Sequence, residues 1–223
     1  MKKITKKKII IISIVIIIAI IVGIVLKLTV FKEKFEKEKE TDFFYNIINI
    51  YEEKPSDEEI KNKKERYEEL KNSEEAVIEN IEVEDNFTPI WLVTEESEKE
   101  YILGHKGEKS VKLIIAGISQ MVRTEIKVNQ VYKSNRSVKI NFYSSGAPIN
   151  VDKVITTNHL KIKEMLSQKQ KVYTILDSIA KTIKANYGEK IKVYYSVNSE
   201  NIKIEEIELE IDKDKPYEYL IKK

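Results

Sequence analysis

The chain contains no cysteine. That single absence excludes disulfides, thiolate zinc sites, cysteine nucleophiles and acylation of a lipoprotein cysteine. Histidine is nearly as scarce. His105 and His159 are the two present, 54 residues apart, and neither has a second histidine at metal-ligand spacing. His105 lies between Gly104 and Gly107 and reads as a surface-loop residue; His159 precedes a short helical turn and reads the same way. Six glycines leave no Gly-rich phosphate loop. Ser144-Ser145-Gly146 lacks the flanking pattern of a nucleophile elbow. The acid pairs Glu74-Glu75 and Glu205-Glu206 sit in charge-rich runs and read as solvated surface. The one tryptophan, Trp91, lies in an apolar run and reads as core, with a sugar-stacking platform as the alternative. No catalytic residue, cofactor or metal ligand is therefore expected.

Charge is abundant but mixed. Lys plus Arg number 39 and Asp plus Glu 37. Six of the cations (Lys2, Lys3, Lys6, Lys7, Lys8 and Lys27) precede residue 28 with no acid among them, so the remainder carries 33 basic and 37 acidic groups, net −4. A mildly acidic, interspersed surface argues against nucleic acid as a partner. The richness in Ile and Lys, with few Arg and Gly, points to a bacterium of AT-rich genome. An outer domain without disulfides fits a Gram-positive one.

What dominates the sequence is Ile9 to Leu26, eighteen residues without a charge, mostly Ile and Val. As a helix it would span ~27 Å, close to bilayer hydrocarbon thickness. Ile9, Ile12, Ile16, Ile20, Ile24 and Leu26 are its membrane-spanning residues, and the run extends to Phe31 past a snorkelling Lys27. The basic tail Lys2, Lys3, Lys6, Lys7 and Lys8 sets the topology. The expectation is a signal anchor: residues 1–8 cytoplasmic, 9–31 a transmembrane helix, the remainder extracytoplasmic.

Residues 32–85 read as a charged helical stalk, with a flexible charged spacer as the alternative. Phe31, Phe35, Phe43, Ile47 and Ile50 follow helical steps, Pro55 interrupts, and Ser56 with Glu59 has capping-box spacing. From residue 86 to 223 the texture is α+β. Strands are expected at Thr88–Val93 and Tyr101–Leu103. A helix follows at Lys109–Met121 with Val111, Ile114, Ile115, Ile118 and Met121 on one face, then a hairpin of 124–132 with 137–143. Residues 149–166 are ambiguous, with a helical turn near Leu160–Leu166. Ser167 and Gln170 open a second helix that Gly188 closes. Strands at 191–197 and 202–211 end the chain, the latter with a bulge at Glu205-Glu206. The expected fold is a two-layer α/β sandwich, two helices on one mixed or antiparallel sheet.

Four stretches of this domain resemble the GerMN domain of sporulation and spore-germination proteins. Leu113-Ile114-Ile115-Ala116-Gly117-Ile118 is similar to the family's Leu-Leu-x-Gly-Pro helix end, with Ile in place of Pro. Val138-Lys139-Ile140-Asn141-Phe142 is similar to its Val-x-Val-Asp-Phe strand, with Asn141 for Asp. Ile179 to Ile183, containing Thr182, stands at its Thr-Leu helix end, and Ile191–Val197 at the strand that follows. Gly117, Val138, Asn141, Phe142 and Thr182 are the family-motif residues. The resemblance covers about residues 88–200. It implies a non-enzymatic assembly or scaffolding module, anchored in the cell membrane and partnered by other envelope or sporulation proteins or by copies of itself. The alternative is an envelope or cell-division protein whose outer domain binds peptidoglycan or a protein partner.

Overall fold

In the computed structural model residues 33–71, 83–151 and 167–222 are described. The chain divides into two compact units, Met1–Phe35 and Glu36–Lys223. Of the first, residues 33–35 are described and have no regular structure. All that follows concerns the second.

Its elements in chain order are β1 (Glu36–Lys37), a 3-10 turn (Phe44–Asn46), β2 (Ile47–Tyr51), α1 (Asp57–Lys71), β3 (Asn86–Val93), β4 (Glu98–His105), α2 (Val111–Met121), β5 (Val128–Lys133), β6 (Ser137–Phe142), α3 (Gln168–Tyr187), β7 (Lys192–Val197), β8 (Ile202–Ile204), a second 3-10 turn (Glu205–Ile207) and β9 (Leu209–Ile211). They form a four-stranded sheet β1-β5-β6-β7, a three-stranded sheet β2-β4-β3 and a two-stranded ribbon β8-β9. The pair β6-β7 is parallel and every other named pair is antiparallel. Parallel neighbours need a crossover, and α3 supplies it.

The inward residues of the four-stranded sheet follow strand alternation: Val138, Ile140 and Phe142 on β6, Val193 and Tyr195 on β7. They pack with Val111, Ile114, Ile115 and Ile118 of α2 and with Val172, Ile175, Leu176, Ile179 and Ile183 of α3 in the larger core. The other side of α2 serves a second, smaller core. Leu113 and Met121 pack there with Ile90, Leu92 and Leu103 of the three-stranded sheet. Nine of the eleven α2 residues are buried, as a helix apolar on all sides must be. Gly117 permits this closeness: a Cβ there would lie 3.0 Å from Leu103 Cδ2.

Helix α3 has a polar stripe beside its apolar one. Ser178, Thr182 and Asn186 recur at four-residue steps and so share a face. They meet the outer edge of β3. Ser178 Oγ accepts from the Val93 N–H at 2.9 Å, Thr182 Oγ1 accepts from the Trp91 N–H at 2.8 Å, and Asn186 Nδ2 donates to the Pro89 carbonyl at 2.7 Å. Edge-strand groups that would otherwise lack partners are thus paired by helix side chains. Two caps hold as read: Ser167 and Gln170 form the capping box of α3, and Ser56 with Glu59 opens α1. The structure adds Ser110 as the cap of α2.

Several expectations are corrected. The domain is α+β, but α2 and α3 do not lie on a single sheet; α2 is wedged between two, with a third helix, α1, elsewhere. The described residues 33–54 do not form the expected helical stalk. They hold β1, the first 3-10 turn and β2, because pairing with β5 and β4 outweighs a thin local stripe of Phe and Ile. The acid Glu38 just after β1 accepts the Val111 and Lys112 N–H groups at 2.9 and 3.1 Å, capping α2 from a distant part of the chain. The last strand breaks into β8 and β9, which pair with each other through the Glu205–Ile207 turn and a left-handed Glu208 (φ 54°). The expected transmembrane helix over 9–31 falls outside the described residues, as do the topology lysines. Among the described residues no helix is long and apolar enough to cross a membrane.

Thr182→Val keeps the side-chain shape but removes the acceptor for the Trp91 N–H. It should cost about 1–2 kcal/mol, seen as a lower urea midpoint with unchanged slope. An unshifted midpoint would show that the helix stripe does not hold this edge.

Candidate functional site

The most developed polar constellation lies on the face of the three-stranded sheet beneath α1. Glu84 is at its centre. This carboxylate is buried, with 3% of its side chain exposed. Oε1 accepts from Tyr51 Oη at 2.5 Å and from Asn49 Nδ2 at 3.0 Å, both on β2. The Lys63 ammonium of α1 reaches both carboxylate oxygens at 3.0 Å. Gly104 on β4 makes room: a Cβ there would stand 2.6 Å from Glu84 Cγ and 3.0 Å from the Tyr51 ring. Burial alone pushes the Glu84 carboxyl up, but the hydrogen bonds from Asn49, Tyr51 and Lys63 outweigh it and hold the group at about 2. Burial, then the bond to Glu84, pushes the Tyr51 phenol up to about 12.

Beside the cluster is an open groove of about 380 Å³, within the size range of small-ligand sites. Tyr51, Phe87, Pro55 and Ile60 form its apolar surface, and Glu53, Lys54, Glu59 and Lys63 its charged rim. Tyr51 and Phe87 are tilted rings 6.2 Å apart, and the Lys54 ammonium stands 6.0 Å over Phe87. α1 has no buried residue, and the Lys63–Glu84 pair ties that helix to the cluster. Glu84 is ionised and its oxygens are engaged. The cluster is built to hold α1 over the groove, and a proton-transfer role would have to break it.

His105 and Asp177 are similarly occupied. His105 is the last residue of β4 and fully buried, not a loop residue as its flanking glycines imply. Its Nε2 pairs with Thr88 Oγ1 at 2.9 Å, and burial lowers its proton affinity. Asp177 of α3 accepts from Tyr217 Oη and from the Leu220 and Ile221 N–H groups, tying the C-terminal segment to the core. Among the described residues no three His, Cys, Asp or Glu side chains gather as for a metal ion. His159 and Glu74-Glu75 lie outside the described residues.

The family-motif residues do not converge on a site. Gly117 is a packing position between α2 and Leu103, and Thr182 a partner of the β3 edge. Val138 and Phe142 are core. Asn141 is buried, and its Oδ1 accepts from the Ser199 N–H at 2.8 Å and Ser196 Oγ at 3.1 Å. That fastens a turn whose Asn198 and Ser199 have positive φ, 48° and 68°. Trp91 is half-buried rather than core, with the Lys181 ammonium 5.1 Å over its ring. Sequence reasoning missed Glu84, Asn49, Tyr51 and Lys63. Glu84 hides in the acidic run of Glu79, Glu82 and Asp85, and its partners are 21 to 35 positions away.

No protein-family model, no curated protein and no solved structure matches the chain.

The Glu84 carboxyl binds its proton less readily when folded than its ordinary 4.5. The unfolded chain is therefore protonated first, and the stability contributed by the cluster, complete above that value, drains away as pH falls towards 2. His105 has the same sign, beginning at its ordinary 6.5. Urea unfolding from about pH 7 down to about pH 2.5 should show a steeper acid loss in the wild type than in Glu84→Gln. Parallel curves would sink the assignment.

Proposed function

We propose that the protein is a non-enzymatic module of sporulation or spore germination, held at the cell membrane by its N-terminal apolar run, with its folded domain extracytoplasmic. It acts by assembling with other envelope or sporulation proteins or with copies of itself. The observation that carries the non-catalytic part is the state of its interior acids and histidine. Glu84, Asp177 and His105 are each engaged by partners within the fold, as rivets rather than as poised reagents. The uncharged run Ile9–Leu26 behind five lysines supports the location. The resemblance of residues 88–200 to the GerMN pattern supports the process.

A second reading keeps the location and changes the process: an envelope or cell-division protein whose outer domain binds peptidoglycan or a protein partner. The groove lined by Tyr51 and Phe87 favours it.

The test is a clean deletion in the host, with heat-resistant spores counted against total viable cells. The expected outcome is a large drop in spores with normal vegetative growth. Normal spore numbers with normal germination would sink the sporulation reading. Septal localisation in growing cells would then support the second one.

A further inference from the structure

The groove under α1 is bordered by a short acidic stretch. Residues 52–59 read Glu-Glu-Lys-Pro-Ser-Asp-Glu-Glu, five acids to one lysine. Glu53, Lys54 and Glu59 of that stretch line the groove, together with Lys63 and Glu84. The last two cancel, since the Lys63 ammonium holds both Glu84 oxygens at 3.0 Å. Glu59 is ionised. Its Oε2 accepts from the Ser56 hydroxyl and N–H at 2.7 and 2.8 Å, and those bonds hold its carboxyl below the usual range. Glu53 is exposed and has no hydrogen-bond or ion-pair partner among the described residues. Lys54 is exposed too, and its ammonium stands 6.0 Å from the Phe87 centroid, at the outer limit of a cation–ring contact. The charge left at the groove is two carboxylates against one loosely held ammonium.

The rings decide what shape of group fits. Tyr51 and Phe87 lie 6.2 Å apart with their planes at 51°. They offer two inclined faces and no common plane for a flat sugar or base. A compact cation needs only a ring face within ~6 Å. The Tyr51 hydroxyl donates to the ionised Glu84 carboxylate, which pushes electron density into its ring and strengthens the pull on a cation. An anion would meet Glu53 and Glu59, and Lys63 is already neutralised. Both cations at the groove, Lys54 and Lys63, are ammonium groups, and Pro55 and Ile60 give an apolar wall for a hydrocarbon stem. Because the groove is open, a side chain can enter while its backbone stays outside. We propose that the groove binds a lysine side chain of a partner polypeptide. The incoming ammonium lies on the Tyr51 and Phe87 rings with Glu53 and Glu59 as counter-charges, and Lys54 is the resident cation it displaces. This rests on the second reading above and narrows its partner to a lysine-bearing protein.

The full chain, purified in detergent, would be titrated by ligand-observed NMR with empty micelles as the blank. The probes are Nα-acetyl-lysine methylamide, its uncharged norleucine analogue, its aspartate analogue and 1,5-diaminopentane. Binding of the lysine probe is expected, weakened by added salt, with none for the norleucine and aspartate analogues. Lys54→Met should tighten it about threefold by removing the competitor. Phe87→Leu and Glu53→Gln should each weaken it about threefold, the scale of one exposed cation–ring or ion-pair contact. Unchanged thermal unfolding of Phe87→Leu would show that its loss is local, and the exposed Glu53 tests the same site without touching the core. No binding of the lysine probe, equal binding of the norleucine analogue, tighter binding of the free diamine, or unchanged affinity in all three variants would overturn the proposal. The readouts are separable. Septal localisation without lysine binding would fail only this proposal, and lysine binding in a protein confined to sporulating cells would fail only the reading it rests on.

Discussion

The arrangement depends on how α3 meets the edge of β3. A three-stranded sheet has two edges, and an edge buried against apolar surface would leave backbone groups without partners. Ser178, Thr182 and Asn186 supply those partners. Hydroxyls and an amide are weak helix formers, so their spacing here is a tertiary requirement. The same helix gives its apolar stripe to the larger core and bridges β6 to β7. One element thereby ties the two larger sheets together, by hydrophobic contact on one side and directed hydrogen bonds on the other.

Helix α2 completes the tie. It is buried between both cores, and Gly117 lets it approach Leu103 without displacing it. Its N-terminus is capped twice, by Ser110 nearby and by the Glu38 carboxylate from the segment that follows β1. A carboxylate on unpaired helix N–H groups gains from both hydrogen bonding and the helix dipole. The charged N-terminal segment is thus an integral strap, joining the edge of β5 to the head of α2, and the domain begins well before its hydrophobic texture does.

Charge in this protein works mainly by engagement. Glu84 is ionised because three donors surround it, and Asp177 is tolerated in the core because a phenol and two backbone groups point at it. Such groups lend specificity to α1 and to the C-terminal segment. Beneath α1 a groove is open to solvent.

Local signals were legible wherever the responsible residues are close in sequence. The caps at Ser56 and Ser167, the β5-β6 hairpin, α2, α3 and the α+β class follow from spacing and periodicity alone. Ile47 and Ile50 misled, because their three-step spacing fits a helix while their partners on β4 lie more than fifty residues away. His105 misled because flanking glycines mark a turn only when the backbone is free to turn. Here Gly104 serves to admit Glu84. By itself the sequence determined the elements whose hydrogen bonds close within a few residues, the uncharged run at the N-terminus and the absence of cysteine chemistry. The tertiary structure alone decided the split into separate sheets and the Glu84 cluster. Each depends on register between distant strands, and register is set by which faces can be buried together.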